Sequence, residues 1–222
     1  SVSYRGFAGH IALGIANSVP LRHQRRVLIK AVFFDYDGVL TTDKTGSLTT
    51  TRHLSEVTGI ELSVVIAAFN RHNRDLTLGK TTHTQVWHEI CSALGQNLDI
   101  RLLLEAFEST PMNTGMFSLA CELKKRHLVG IITDNKKDRI DHLKQYQQLE
   151  SIFNPIVVSA EVGVDKKSHE IFLQALHLAN VSAEEAVFID NSKDNLVAPR
   201  PVRDRARRPH RSVESRRCRK DI

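Results

Sequence analysis

The chain is poor in cysteine: three in 222 residues. Cys91, Cys121 and Cys218 form no CxxC pair, and their number is odd, which excludes a disulfide framework and a zinc site of the usual spacing. Cys91 and Cys121 fall in apolar helical patterns and are expected as buried, reduced thiols, which points to a reducing, cytoplasmic setting. No apolar run approaches the ~20 residues that cross a bilayer; no membrane association is expected. The eleven histidines include no HxH or HExxH spacing, so metal binding through imidazole is not indicated. Acidic residues are absent from positions 1–26, which read as a disordered leader rather than a transit peptide.

The charge is unevenly placed. The whole chain carries +6, which invites a nucleic-acid reading. However, residues 200–222 hold ten of the 31 basic and three of the 25 acidic side chains. That tail is +7 and the remainder −1. It has no aromatic residue to stack on bases. A disordered basic tail of this kind binds polyanions nonspecifically, if at all. The body has 41% hydrophobic and 25% charged residues overall, enough to bury a core.

Four short apolar, β-branched runs read as buried strands: 27–34, 128–133, 156–158 and 186–189. Helical stripes lie between them, carried by Met116, Phe117, Ala120 and Leu123, by Ile140 and Leu143, and by Ile171, Phe172, Ala175, Leu176 and Ala179. Strands alternating with helices predict an α/β fold: a parallel sheet with helices on both faces. Residues 47–110 interrupt this rhythm with helical patterns at 61–69, 84–94 and 99–107 and no strand. They read as a helical insert after the first strand, dividing a core of 27–46 and 111–199.

In an open parallel sheet, ligands bind beyond the carboxyl ends of the strands. The first run ends in Asp35-Tyr36-Asp37-Gly38, the second in Thr133-Asp134-Asn135, the fourth in Asp190-Asn191. Lys166 and Lys167 follow the third. Asp35 and Asp37, two apart, share a side in extended chain. Converging carboxylates repel one another, and a divalent cation relieves this; Mg2+ takes few carboxylates and keeps its waters. A carboxylate can attack phosphorus, a protonated carboxyl can supply a proton to the leaving oxygen, and a hydroxyl and an ammonium can hold phosphoryl oxygens. Asp194 fits either a partner of Asp190 or the first-turn acid of a helix. Arg71, His72, Arg74 and Lys80 in the insert read as a solvated helix face.

The segment FFDYDGVLTTDKTG resembles the first motif of the haloacid dehalogenase-like superfamily. IITDN, VSAEVGVDKKSHEIFLQAL and AVFIDNSKDN are similar to its second, third and fourth, in order, over about residues 29–199. The resemblance implies a Rossmann-like core with an inserted α-helical cap at 47–110, and the segment LTLGKTTHTQVWHEI is similar to caps of small sugar-phosphate phosphatases. It implies Asp35 as nucleophile and Mg2+ ligand, and Asp37 as general acid and base with its backbone carbonyl on the metal. It further implies Thr133 and Lys166 as phosphoryl-binding groups and Asp190 as the last metal carboxylate. An Asp at position 37, where haloacid dehalogenases proper have Tyr, points to phosphoryl transfer. The function expected is thus Mg2+-dependent hydrolysis of a small phosphorylated substrate through an aspartyl-phosphate. Alternatives are a sugar phosphomutase of the same superfamily and a non-catalytic relative that binds polyanions. The family lysine usually precedes Pro; here Lys167 stands in that place, so Lys166 is preferred over Lys167 by motif position alone. Beyond Pro199 the apolar pattern stops, where the family's fourth motif usually leads into a helix and a further strand; if these elements are missing, one sheet edge or face is expected to be uncovered.

Overall fold

The computed structural model describes residues 28–198; the expected leader and basic tail lie outside these. Four strands, β1 (Ala31–Phe34), β2 (Leu128–Thr133), β3 (Ile156–Val158) and β4 (Ala186–Ile189), form one parallel sheet in the order β3-β2-β1-β4. Val32 and Phe34 point to one face and Ala31 and Phe33 to the other, as the two-residue period of a strand requires. Both faces are covered, which is why these runs are almost continuously apolar.

On one face lie α6 (Thr114–Lys124) and α7 (Lys137–Tyr146), with Ala120, Ile140 and Leu143 buried in the larger core. On the other lies α9 (Glu170–Ala179), whose Ile171, Phe172, Ala175 and Ala179 pack on Phe33 and Val157. The stripes read from the sequence thus face inward. Cys121 corrects the expectation of two buried thiols: Cys91 is buried, but Cys121 is exposed. It follows Ala120, and one residue is a turn of ~100° about a helix, which carries it off the inward stripe.

Between β1 and α6 the chain is helical: α1 (Gly46–Thr58), α2 (Leu62–Asn70), α3 (Asn73–Thr77), α4 (His83–Leu94) and α5 (Arg101–Glu108). Helix α4 starts on a capping box, in which Thr82 accepts the Gln85 N–H and Gln85 accepts the Thr82 N–H. It buries Val86, Trp87, Ile90 and Leu94, while α5 buries Leu103, Ala106 and Phe107. The first helix, α1, is not visible as an apolar stripe. Its buried side chains include Thr49, Thr50, Thr51 and Leu54. The threonine hydroxyls are satisfied within the helix: Thr50 donates to the Gly46 carbonyl at 2.8 Å and Thr51 to the Ser47 carbonyl at 2.9 Å. A short α8 (Ser159–Val162) follows β3.

Along β4 every residue is only half-buried, and β1 is its one strand partner among the described residues. It forms one edge of the described sheet, as β3 forms the other.

Candidate active site

Register sets the site. Phe34 pairs with Ile189 on one side and Ile131 on the other. The residues that follow, Asp35 and Asp190, therefore leave adjacent strands at the same level. The Asp35 N–H donates to the Ile189 carbonyl at 2.8 Å, so Asp35 still belongs to the ladder. Beyond it the chain turns sharply: the Asp35 carboxylate accepts the Tyr36 N–H at 2.8 Å, and the Thr41 N–H closes back on the Tyr36 carbonyl at 3.0 Å. Gly38 sits at φ +77°, and a Cβ there would stand 2.1 Å from the Asn191 amide nitrogen. Only glycine allows both that backbone and so close an approach of the loop after β4.

The expected residues do meet. Lys166 Nζ lies 2.7 Å from Asp35 Oδ2 and 2.8 Å from Asp190 Oδ2, with all three side chains nearly shut off from solvent. Lys167 is exposed. The Lys166 backbone is held by Asp134, whose Oδ1 accepts its N–H at 2.8 Å. Asp190 is braced by the Ser192 N–H at 2.7 Å and by Asn195 Nδ2 at 3.1 and 3.0 Å from its two oxygens. Asn195, not Asp194, is thus the neighbour of Asp190; Asp194 is exposed and opens the short turn 194–196. Thr133 is fully buried at the end of β2, with its hydroxyl 3.4 Å from Asn135 Nδ2.

Burial pushes the Asp35 carboxyl up to about 7; the Lys166 ammonium opposes the rise, and the Asp190 and Asp37 carboxylates add to it. Burial works against the Lys166 ammonium, but Asp35 and Asp190 prevail and its pKa is raised. Burial also raises Asp134, against the pull of Lys166. The cluster is one positive charge shared by carboxylates in a nearly dry pocket.

Asp37 stands in a second cluster. Both its oxygens are gripped by Arg139, Nη1 to Oδ2 and Nη2 to Oδ1, each at 3.0 Å, and Asn135 Nδ2 donates to Oδ2 at 2.9 Å. The sequence reading missed Arg139 and gave Asn135 no role. The signal was available. Arg139 lies in the first turn of α7, four before Leu143 on the buried stripe, and Asn135 stands just ahead of that helix. A charge on an apolar stripe needs a partner. Lys136 was missed too: it reaches Ser47 Oγ of α1 at 3.0 Å, and burial, with Arg139 nearby, brings its ammonium down to about 8.

Of the insert's polar residues, Arg74 pairs with Asp165, the neighbour of Lys166. His72 pairs with Glu89 at 3.6 Å and Lys80 with Asp75 at 3.4 Å, while Arg71 is exposed. Arg74 is therefore more than solvated surface: it ties α3 to the loop that carries Lys166.

Among the described residues no three His, Cys, Asp or Glu side chains converge as a metal cage, and no helix is long and apolar enough to cross a membrane. A cavity of about 320 Å3 lies elsewhere, lined by Ile156, Glu161, Gln174 and Leu178 among others. It has one titratable group and flanks β3 rather than the carboxyl ends of the strands, so the chemistry belongs to the Asp35 cluster.

A family model described as haloacid dehalogenase-like hydrolase matches residues 29–200. The chain is 26% identical over 198 residues to bifunctional epoxide hydrolase 2 of Rattus norvegicus, a match covering 79% of this chain but 35% of that protein's length. It superposes on a HAD family enzyme of Bacteroides thetaiotaomicron with a TM-score of 0.64 at 20% identity, over 79% of this chain and 91% of that one. The wild-type form of that enzyme in complex with magnesium and inorganic phosphate gives 0.60 at 18% identity, over 79% and 91%. The L-2-haloacid dehalogenase of Xanthobacter autotrophicus gives 0.53 at 15% identity, over 72% and 69%. At these identities the structural likenesses establish the fold.

Proposed function

The chain belongs to the haloacid dehalogenase-like hydrolase family, and from that premise we propose that it is a Mg2+-dependent phosphatase acting on a small phosphorylated metabolite through an aspartyl-phosphate on Asp35. One observation carries the reading: a second carboxylate, Asp37, stands two residues from Asp35, buried and held at both oxygens. A dehalogenation needs no such group; departure of an alcohol from phosphorus needs a proton donor.

The residues fit the cation this reading requires. Lys166 already bridges Asp35 and Asp190 as a cation would, at 2.7 and 2.8 Å. Two carboxylates with a backbone carbonyl make the sparse oxygen set on which Mg2+ keeps its waters. Asp35, Asp190 and the Asp37 carbonyl would hold it, and when bound it neutralises charge on the phosphoryl oxygens.

The chain's own groups do the rest. An Asp35 oxygen attacks phosphorus, and the bond from phosphorus to the leaving oxygen breaks. That oxygen takes the proton of Asp37 and departs as an alcohol. Asp37, now a carboxylate, removes a proton from water as the water attacks the same phosphorus. Phosphate leaves and Asp35 is regenerated. Thr133 and Lys166 hold phosphoryl oxygens throughout, Lys166 losing none of its charge because it lies between carboxylates. The helices at 47–110 serve as a cap that selects the leaving group; Asp35 is only 5% exposed.

The test is phosphate release from a panel of phosphorylated metabolites with Mg2+ and with excess chelator. Release that requires the ion is the expected result. Release of halide from 2-haloacids without metal, and no phosphate from any ester, would overturn the proposal.

A further inference from the structure

Arg139 has no part in the steps above, yet it is the largest fully buried side chain among the described residues. Its guanidinium spends three of its five N–H groups near Asp37: two on that carboxylate and one on Asn135 Oδ1 at 3.0 Å. Nη2 also reaches Thr110 Oγ1 at 3.2 Å, and Nε is buried with no partner. The Tyr36 ring lies 5.6 Å from Cζ. The backbone of α1 closes the remaining side: a Cβ on Gly46 would stand 2.1 Å from Cζ and 2.2 Å from Nη1. Gly46 is the cradle that lets the guanidinium reach Asp37.

Ion pairing as mere scaffolding is a poor use of this interior, since buried pairs rarely outperform apolar packing. The geometry offers a better reason. A carboxylate has about four lone-pair directions. On Asp37, Oδ2 accepts from Arg139 and Asn135 and is saturated, while Oδ1 accepts from Arg139 alone. One direction remains open, on Oδ1.

We propose that Arg139 is the positioning residue of Asp37: with Asn135 it saturates Oδ2 and leaves a single open direction on Oδ1, so that the proton for the leaving oxygen is carried on that atom and in that direction. The inference rests on the phosphatase reading. In the step written above, the breaking bond's electron pair takes the proton from Oδ1, and Asp37 is left as a carboxylate that Arg139 grips at both oxygens. Arg139 touches no reacting atom and acts through Asp37.

The experiment compares wild type, Arg139→Lys and Gly46→Ala, as full chains with Mg2+, on phosphate monoesters from p-nitrophenyl to simple alkyl. Lysine keeps the charge but cannot grip two oxygens. Gly46→Ala leaves every other residue unchanged, suits a helix, and drives the guanidinium off Asp37. Both variants should lose about 100-fold in kcat on alkyl phosphates but no more than about threefold on p-nitrophenyl phosphate, whose leaving group needs little protonation. KM should hold, and neither change should cost more once Asp37→Asn is present. A folded variant with an equal loss on every ester, or with its full loss intact in the Asp37→Asn background, overturns the assignment and makes Arg139 scaffold. A folded Gly46→Ala with wild-type leaving-group dependence overturns it as well, whether or not Arg139→Lys folds. A wild type that releases phosphate from no ester is a different failure: it removes the phosphatase reading, and the inference with it.

Discussion

At Asp35 burial outweighs the charge of Lys166. Its carboxyl, raised by burial to about 7, lies well above the ordinary 3.8. The sign follows from linkage: the folded, metal-free protein holds a proton on Asp35 that the unfolded chain has released. The stability this contributes is complete below about pH 4 and is lost as pH rises through about 7. Mg2+ requires the carboxylate and competes with that proton. Its affinity for wild type should therefore climb with pH and level off above about 7, whereas Asp35→Asn should bind weakly at every pH. Calorimetric titration across this range checks it; a wild-type affinity flat from about pH 5 to 8 would show that Asp35 does not take the ion.

At the scale of elements, the insert is fastened to the core by side chains as well as by packing. Asp138, in the first turn of α7, accepts the His83 backbone N–H at 2.8 Å and meets the His83 ring at 2.8 Å. It thereby satisfies the first N–H of α4 and joins insert to core. Burial, the largest single influence, would raise the Asp138 pKa, but the side-chain and backbone hydrogen bonds and charge of His83, with the Arg139 N–H, together outweigh it and the carboxyl is lowered. A lowered carboxyl stabilises above its unfolded value and ceases to as pH falls through its folded one. Asp138→Asn should therefore cost about 1–2 kcal/mol near neutrality. The difference from wild type should shrink in acid; urea unfolding at several pH values measures it, and a penalty constant with pH would remove the charge from the explanation. The same elements show what a sequence reveals. Strands were legible because burial on both faces demands unbroken apolar runs. Helices α4 and α5 were legible through stripes such as Val86, Trp87, Ile90 and Leu94. Helix α1 was not, because it buries Thr49, Thr50 and Thr51, and a threonine's fitness for the interior depends on a carbonyl one turn back. The carboxylates at the strand ends could be found by position alone, whereas the Arg139–Asp37 pair joins residues 102 apart in the chain, a contact set by how α7 docks beside the first loop.

Over the whole molecule, the parallel topology gathers what the chain keeps apart. Asp35, Lys166 and Asp190 come after three different strands and Thr133 ends the remaining one, β2, and the order β3-β2-β1-β4 brings all four carboxyl ends to one rim. Placing β1 between β2 and β4 puts Asp35 beside Asp190 through register, and the loop after β3 delivers Lys166 between them. The account's central claim is that this gathering makes Asp35 a nucleophile toward phosphorus. Borohydride added during turnover of a small aryl phosphate with Mg2+ reduces an acyl-phosphate to the alcohol and marks its site permanently. Mass spectrometry of the peptide spanning Asp35 should find residue 35 converted to homoserine in wild type and unlabelled protein in Asp35→Asn, which should also release no phosphate. Steady phosphate release with residue 35 unreduced, or undiminished release by Asp35→Asn, would contradict the account.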